Sequence, residues 1–262
     1  MSTLEPIKLR QILKAGKPAI GTCAYSFSPD IVQLAGYAGM DFCRVDNEHA
    51  WRQDSALENM VRASLISDIA LIARVDRDNP YLIRKAFELG SHAVLVPQIE
   101  NQKEVDAVVQ AAKFPPIGGR GFGNLNQSGR YGFVDAKEWI EWSNSELLVG
   151  VMIETKAALQ EVDSIFSRPG LDYVLIGGAD LSISLGLPRP EPKNPAIQQA
   201  VADIVKSAHK HGKWVMIGVG SPWIENARNY LDMGVDMIEI GHDFTILKQI
   251  WSDAASKLKQ GA

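Results

Sequence analysis

Residues 70–96 read ALIARVDRDNPYLIRKAFELGSHAVLV. Ala70 to Arg74 is a short apolar run closed by one charge. Pro80 to Leu89 spaces its apolar residues three and four apart, behind a proline suited to a first helical turn. Gly90 follows where a left-handed cap is needed, and Ala93 to Val96 is apolar again. The stretch predicts strand, helix, strand, and a helical crossover leaves its two strands parallel.

Outward from this unit the pattern repeats. Further strands are expected at Ala19–Ala24, Phe42–Asp46, Leu147–Ile153, Tyr173–Ile176, Trp214–Ile217 and Met237–Ile240, nearly all continuously apolar, as strands covered on both faces must be. Helical spacing recurs at Pro29–Ala38, Asp54–Ile66 and Ala196–His211, and Gly39, Gly212 and Gly234 repeat the cap. Eight such units in 262 residues favour one α/β domain, 1–262, closed as a (β/α)8 TIM barrel with a short N-terminal helix. A doubly wound sheet would use fewer strands and carry a dinucleotide fingerprint, and Gly119 to Gly123 lacks the third glycine, with Asn126 in its place. The long segment Phe114–Ser145, a glycine-rich loop after strand four, is expected to serve the active site.

Composition narrows the function. Hydrophobic residues are 46% and charged residues 22% of the chain, enough for a full core, and the net charge of −4 offers no footprint for nucleic acid or anionic membrane. No apolar run approaches membrane-spanning length, and Met1 to Gly16 has no signal-peptide core, so a cytoplasmic protein is expected. The two cysteines, Cys23 and Cys43, fall inside strand runs and read as reduced core thiols.

In a barrel, chemistry sits at the carboxyl ends of the strands. Strand two ends in Asp46-Asn47-Glu48-His49, strand three in Arg74, strand five in Glu154, and strand six leads into Gly177-Gly178-Ala179-Asp180. Each has a local alternative: Glu154 or Asp180 as helix caps, His49 as an ordinary loop histidine. Together they converge, since carboxylates at adjacent strand ends can share one hard divalent cation of the magnesium or manganese kind, whereas zinc prefers histidines and thiolates. No lysine lies within a strand run, and Lys156 and Lys213 read as exposed flanks, which disfavours imine chemistry. Counting by twos from Asp46 turns Arg44 inward, and the apolar Ile238 and Ile240 turn Glu239 inward, so a buried Arg44–Glu239 ion pair is expected.

The strings Asp46-x-Glu48-His49, Arg74, Pro115-Pro116-x-Gly118-x-Arg120-Gly121-x-Gly123, Ile153-Glu154-Thr155 and Gly177-x-Ala179-Asp180-Leu181-Ser182 resemble the HpcH/HpaI family of class II pyruvate aldolases, from roughly Leu13 to Ile250. The resemblance implies metal-dependent aldol cleavage and formation of 4-hydroxy-2-oxo acids, giving pyruvate and an aldehyde. It implies Glu154 and Asp180 as ligands of Mg2+ or Mn2+, with Co2+ as a further option, and Arg74 on the enolate oxygen. It also implies that His49, oriented by Asp46, shuttles the aldol proton. Amides around Gly178, Ala179 and Asp180 would bind the substrate carboxylate, as a helix start favours. Glu88 would serve a neighbouring subunit's site in a homo-oligomer, a hexamer by resemblance.

The chain departs from the family at Asn124 to Tyr131, where an Ala-Arg-Ala-Ser-like stretch is usual, and at Asn47, where glycine is frequent. Competing readings are an acyl-CoA lyase of the malyl- or citryl-CoA type, which should carry a basic cluster for the CoA phosphates, an oxaloacetate decarboxylase, and a non-enzymatic ligand-binding barrel.

Overall fold

The computed structural model describes residues 4–49 and 54–260. Strands β1 (Ala19–Ala24), β2 (Phe42–Asp46), β3 (Ala70–Arg74), β4 (Ala93–Val96), β5 (Leu148–Ile153), β6 (Tyr173–Ile176), β7 (Trp214–Val219) and β8 (Met237–His242) close a parallel barrel in chain order. The helices are α1 (Lys8–Lys14), α2 (Pro29–Tyr37), α3 (Asp54–Ile66), α4 (Pro80–Leu89), α5 (Gln102–Ala112), α6 (Ala136–Glu146), α7 (Lys156–Gln160), α8 (Val162–Phe166), α9 (Gly178–Ser184), α10 (Pro195–Lys210), α11 (Trp223–Asp232) and α12 (Asp243–Gln260). Boundaries move by a residue or two from expectation. Leu147 becomes the cap of α6, and β7 and β8 each run two residues further.

Parallel pairing puts register partners on the same face, so the inward set is traced around the ring: Gly21 and Cys23 on β1, Phe42, Arg44 and Asp46 on β2, Ile72 and Arg74 on β3. It continues through Leu95, Gly150, Tyr173, Met216 and Glu239. Large and small side chains alternate to fill the interior. A Cβ at Gly21 would enter the Phe42 ring, and one at Gly150 the Tyr173 ring, whose hydroxyl donates to the Val94 carbonyl at 3.0 Å. Cys23 and Cys43 are free and buried.

The amino-terminal mouth of the barrel is plugged. Arg10 of α1 reaches the Glu146 carbonyl at 2.9 Å and Asp172 at 2.7 Å, and its guanidinium lies 5.6 Å above the Trp214 ring. Lys113, 1% exposed, donates to the Leu147 and Asn144 carbonyls at 2.6 and 3.0 Å. Burial lowers its pKa, partly offset by Asp172. Lys213, expected to be exposed, is partly buried and donates to the Arg168 and Leu171 carbonyls at 3.2 and 2.9 Å, because it too precedes a strand at this mouth.

The same end carries a repeated device. The residue preceding each even-numbered strand turns its side chain back to accept an amide at the start of the strand before. Asp41 takes Ile20 N–H at 2.9 Å, His92 takes Leu71 at 3.1 Å, Asp172 takes Val149 at 2.8 Å and Asp236 takes Val215 at 2.8 Å. Three aspartates and one histidine thus satisfy backbone donors that the ladder leaves open.

The glycine-rich segment differs from its expectation in two ways. Its final third is helix α6, started by Asp135, whose carboxylate accepts from Lys137 and Glu138 N–H. The remainder follows the end of α5, when the chain has already returned to the amino-terminal side, so it lies away from this chain's own strand carboxyl ends. Arg120 anchors it: 3% exposed, the guanidinium sits 4.7, 5.1 and 5.4 Å from the rings of Phe114, Trp139 and Phe87. Phe122, Leu125, Tyr131 and Phe133 project from it into solvent, and in α12 every residue from 248 to 259 is exposed, Trp251 and Leu258 included. Among the described residues no helix is long and apolar enough to cross a membrane.

Candidate active site

Asp46 and Arg74 end neighbouring strands and are register partners, which places a carboxylate and a guanidinium side by side at the open mouth. Arg74 Nε donates to Asp46 Oδ1 at 3.0 Å, and Nη2 donates to Oδ2. Nη1 lies 2.7 Å from Glu48 Oε2, an ion-pair contact without hydrogen-bond alignment. One layer below, Arg44 binds Glu239 through two hydrogen bonds of 2.6 and 2.7 Å and reaches Asp46 Oδ2 at 3.5 Å, so the expected buried pair exists. The interior therefore stacks alternating charges, Glu239, Arg44, Asp46, Arg74 and Glu48. Burial alone would raise the Asp46 carboxyl, but the Arg74 hydrogen bonds and charge, with Arg44, outweigh it and bring it down to about 2.

The loop after Asp46 is set by that same carboxylate, whose Oδ1 accepts the main-chain N–H of Glu48 at 3.0 Å and of His49 at 3.2 Å. Asp46 thus orients His49 through its backbone. The imidazole itself is 60% exposed, with Nε2 3.8 Å from Glu48.

Across the mouth, Glu154 follows β5 directly and is 5% exposed. Its Oε1 accepts Gln98 N–H at 2.6 Å, from a backbone turned to φ 55°. Only glycine fits at 177, because a Cβ there would come within 2.7 Å of the Glu154 carboxylate. Burial pushes Glu154 up to about 7, with the charges of Asp180 and Glu48 adding to the rise. Gly178, Ala179 and Asp180 form the first turn of α9, with Ala179 and Asp180 exposed. A buried carboxylate raised by acidic neighbours is a site short of positive charge, and its oxygen donors suit a hard divalent ion. Among the described residues no group of three or more His, Cys, Asp or Glu is preassembled for a metal.

Glu88 is not part of this cluster. It sits in the last turn of α4, at the end remote from the strand carboxyl termini, with Oε1 3.7 Å from Arg84 Nε. Two residues that the sequence reading missed do border the mouth. Tyr25 follows β1, and its hydroxyl donates to Asp46 and accepts from Arg74 Nη2 at 3.4 Å. His242 ends β8, its ring centroid 4.6 Å from that of Tyr25. His242 escaped notice because strand eight was expected to stop at Ile240. Tyr25 carries no charge to draw attention.

A closed barrel whose buried charges are stacked beneath an acidic mouth is an enzyme scaffold, and the comparisons make it a carbon–carbon lyase. A sequence model described as HpcH/HpaI aldolase/citrate lyase matches residues 20–249, and the chain belongs to that family. It is 31% identical over 236 residues to a 2-dehydro-3,6-dideoxy-6-sulfogluconate aldolase of Pseudomonas putida, covering 90% of this chain and 91% of the relative. A 5-keto-4-deoxy-D-glucarate aldolase of Salmonella paratyphi A is 29% identical over 255 residues, covering 97% and 98%. The crystal structure of an HpcH/HpaI aldolase from Desulfitobacterium hafniense superposes with a TM-score of 0.88 at 25% identity, covering 96% of each chain.

Proposed function

We propose that this lyase cleaves and forms 4-hydroxy-2-oxo acids by way of a pyruvate enolate, with Glu154 and Asp180 holding a divalent ion, Mg2+ or Mn2+. When bound, the ion supplies electrophilic stabilisation to the carboxylate and 2-oxo oxygens. The observation that carries this reading is the placement of a buried Glu154 carboxylate and a rigidly held Arg74 at one mouth. Arg74, fixed by Asp46 and Glu48, presents a planar cation to the oxygen on which enolate charge develops. The first turn of α9 offers main-chain N–H groups to the substrate carboxylate. His49, at the water-facing rim beside Glu48, moves the proton of the aldol hydroxyl. The two relatives are both named as aldolases of deoxy sugar acids, which supports a polar, hydroxylated acceptor aldehyde.

The working unit in this reading is a homo-oligomer in which Glu88 and the glycine-rich loop serve a neighbouring copy. Their place on the amino-terminal side and the exposed apolar residues of the loop and of α12 support it.

The test uses pyruvate in heavy water, following the methyl protons by NMR. Exchange that is lost with chelator and restored by Mn2+ is the expected result. Exchange of equal rate in verified metal-free protein, or no exchange at all, would refute the proposal.

A further inference from the structure

Arg74 has five N–H donors, of which the chain hydrogen-bonds four, while Nη1 also faces Glu48 in an ion pair without hydrogen-bond alignment. Asp46 takes Nε and one Nη2 donor, Glu48 stands 2.7 Å from Nη1, and the two remaining contacts are long, 3.4 Å to the Tyr25 hydroxyl and 3.6 Å to the Met152 sulfur. An incoming oxygen can reach the guanidinium only where a contact yields, and these two are the weakest. They lie towards opposite walls of the barrel, Met152 on β5 beside the Glu154 side and Tyr25 after β1. An oxygen that approaches Arg74 from the Glu154 side would arrive between them.

Tyr25 is held for this position with more care than a surface tyrosine needs. Asp243, 6% exposed, accepts Tyr25 N–H and Ser26 N–H, each at 3.0 Å, together with the Ser26 hydroxyl. The next residue, Phe27, turns the chain with φ 52°. The His242 ring braces the phenol ring, and Thr245 holds the imidazole through N–H and hydroxyl contacts to Nδ1 of 3.3 and 3.1 Å. Burial, with the Asp46 charge, pushes the phenol up to about 12, so it remains a proton donor at neutral pH.

We propose that Tyr25 is a further substrate-positioning residue, whose hydroxyl marks the edge of Arg74 where a 2-oxo or enolate oxygen docks and then turns its proton from Asp46 to that oxygen. Asp46 loses little, since it keeps Arg74 and two main-chain donors. The inference rests on the enolate reading above and adds a residue to the same site.

The test measures two things on Mn2+-loaded wild type, Tyr25→Phe and His242→Ala: the affinity for oxalate, a planar mimic of the pyruvate enolate, by calorimetry, and the exchange of pyruvate methyl protons. Removing only the hydroxyl is expected to weaken oxalate and slow exchange by about tenfold each, with the melting temperature unchanged. His242→Ala, which keeps the hydroxyl but removes its brace, gives a smaller loss in the same direction. A Tyr25→Phe protein within about twofold of wild type in both assays would show that the ring alone matters and would overturn the inference. A wild type that neither exchanges pyruvate protons nor binds oxalate would instead remove the enolate reading, and this inference with it.

Discussion

Arg44 on β2 and Glu239 on β8 meet inside the barrel through two parallel hydrogen bonds, Nε to Oε2 at 2.6 Å and Nη2 to Oε1 at 2.7 Å, with each residue 6% exposed. The two strands flank β1, where Gly21 leaves room for the Phe42 ring. Arg44 also touches Asp46, so this floor supports the pair above it.

Breaking the floor should cost more than removing it. Glu239→Leu or Arg44→Met alone strands a buried charge and is expected to lose about 3–5 kcal/mol in urea unfolding, while the double replacement is expected to return close to wild type. Losses that simply add in the double variant would show that the two side chains are uncoupled and would refute the buried-pair account.

Arg74→Lys keeps the charge but loses the planar fork that grips Asp46 through two nitrogens. Pyruvate exchange should fall by about a hundredfold with little change in melting temperature. His49→Ala should spare exchange and slow aldol cleavage, because the proton it moves is that of the aldol hydroxyl, which takes no part in the enolisation of pyruvate. Equal losses in the two assays would argue against that division of labour.

Asp46 contributes a pH dependence of known sign. Its folded-state pKa of about 2 lies below the ordinary 3.8, so its stabilisation is present above about pH 4 and is lost as pH falls through 2. The contribution at neutral pH is about 2 kcal/mol. Asp46→Asn should therefore unfold more readily at pH 7 and converge on wild type near pH 2.

His92 acts higher on the scale. Burial lowers it to about 4, and the neutral ring leaves Nδ1 to accept the Leu71 N–H. Its stabilisation is present above the ordinary 6.5 and fades as pH falls towards 4. His92→Asn, which keeps an acceptor but cannot titrate, should flatten the stability profile between those values. An unchanged profile would place the acid sensitivity elsewhere.

If Glu88 serves a neighbour, two inactive variants should rescue each other. Glu88→Gln and Arg74→Lys subunits, unfolded together and reassembled, are expected to regain aldol activity absent from either parent. A fully active monomer in sedimentation would exclude the shared site.

Strand and helix positions were legible because the alternation of apolar runs with helical spacing is local, and the inward direction of Arg44 and Glu239 followed from parity alone. The ends of strands were not, because β7 is carried past Ile217 by pairing with β8, Val219 opposite Ile240, and β8 past Ile240 by pairing with β1, His242 opposite Cys23, which no local signal records. The charged candidates Asp46, Arg74 and Glu154 were visible as unusual charges in apolar company. Tyr25 was invisible, since its role depends on Asp243, distant in sequence, holding its backbone. The position of the glycine-rich segment, away from this chain's own mouth, was not legible because the α5 helix reverses the chain before the glycines begin.

The four side chains that reach back at the amino-terminal mouth divide the ring into couples, β1 with β2, β3 with β4, β5 with β6 and β7 with β8. New chain ends are not equivalent under this arrangement. Joining the two ends of this barrel by a linker and reopening the polypeptide at Gly212 leaves every couple whole, since Asp236 still follows β7 on the same continuous piece. Reopening at Gly234 separates β7 from its partner's aspartate and leaves that residue on a fraying end. Circular permutants cut before odd strands should therefore fold where those cut before even strands falter, and fragments that reassemble in a split enzyme should be sought in multiples of two strands.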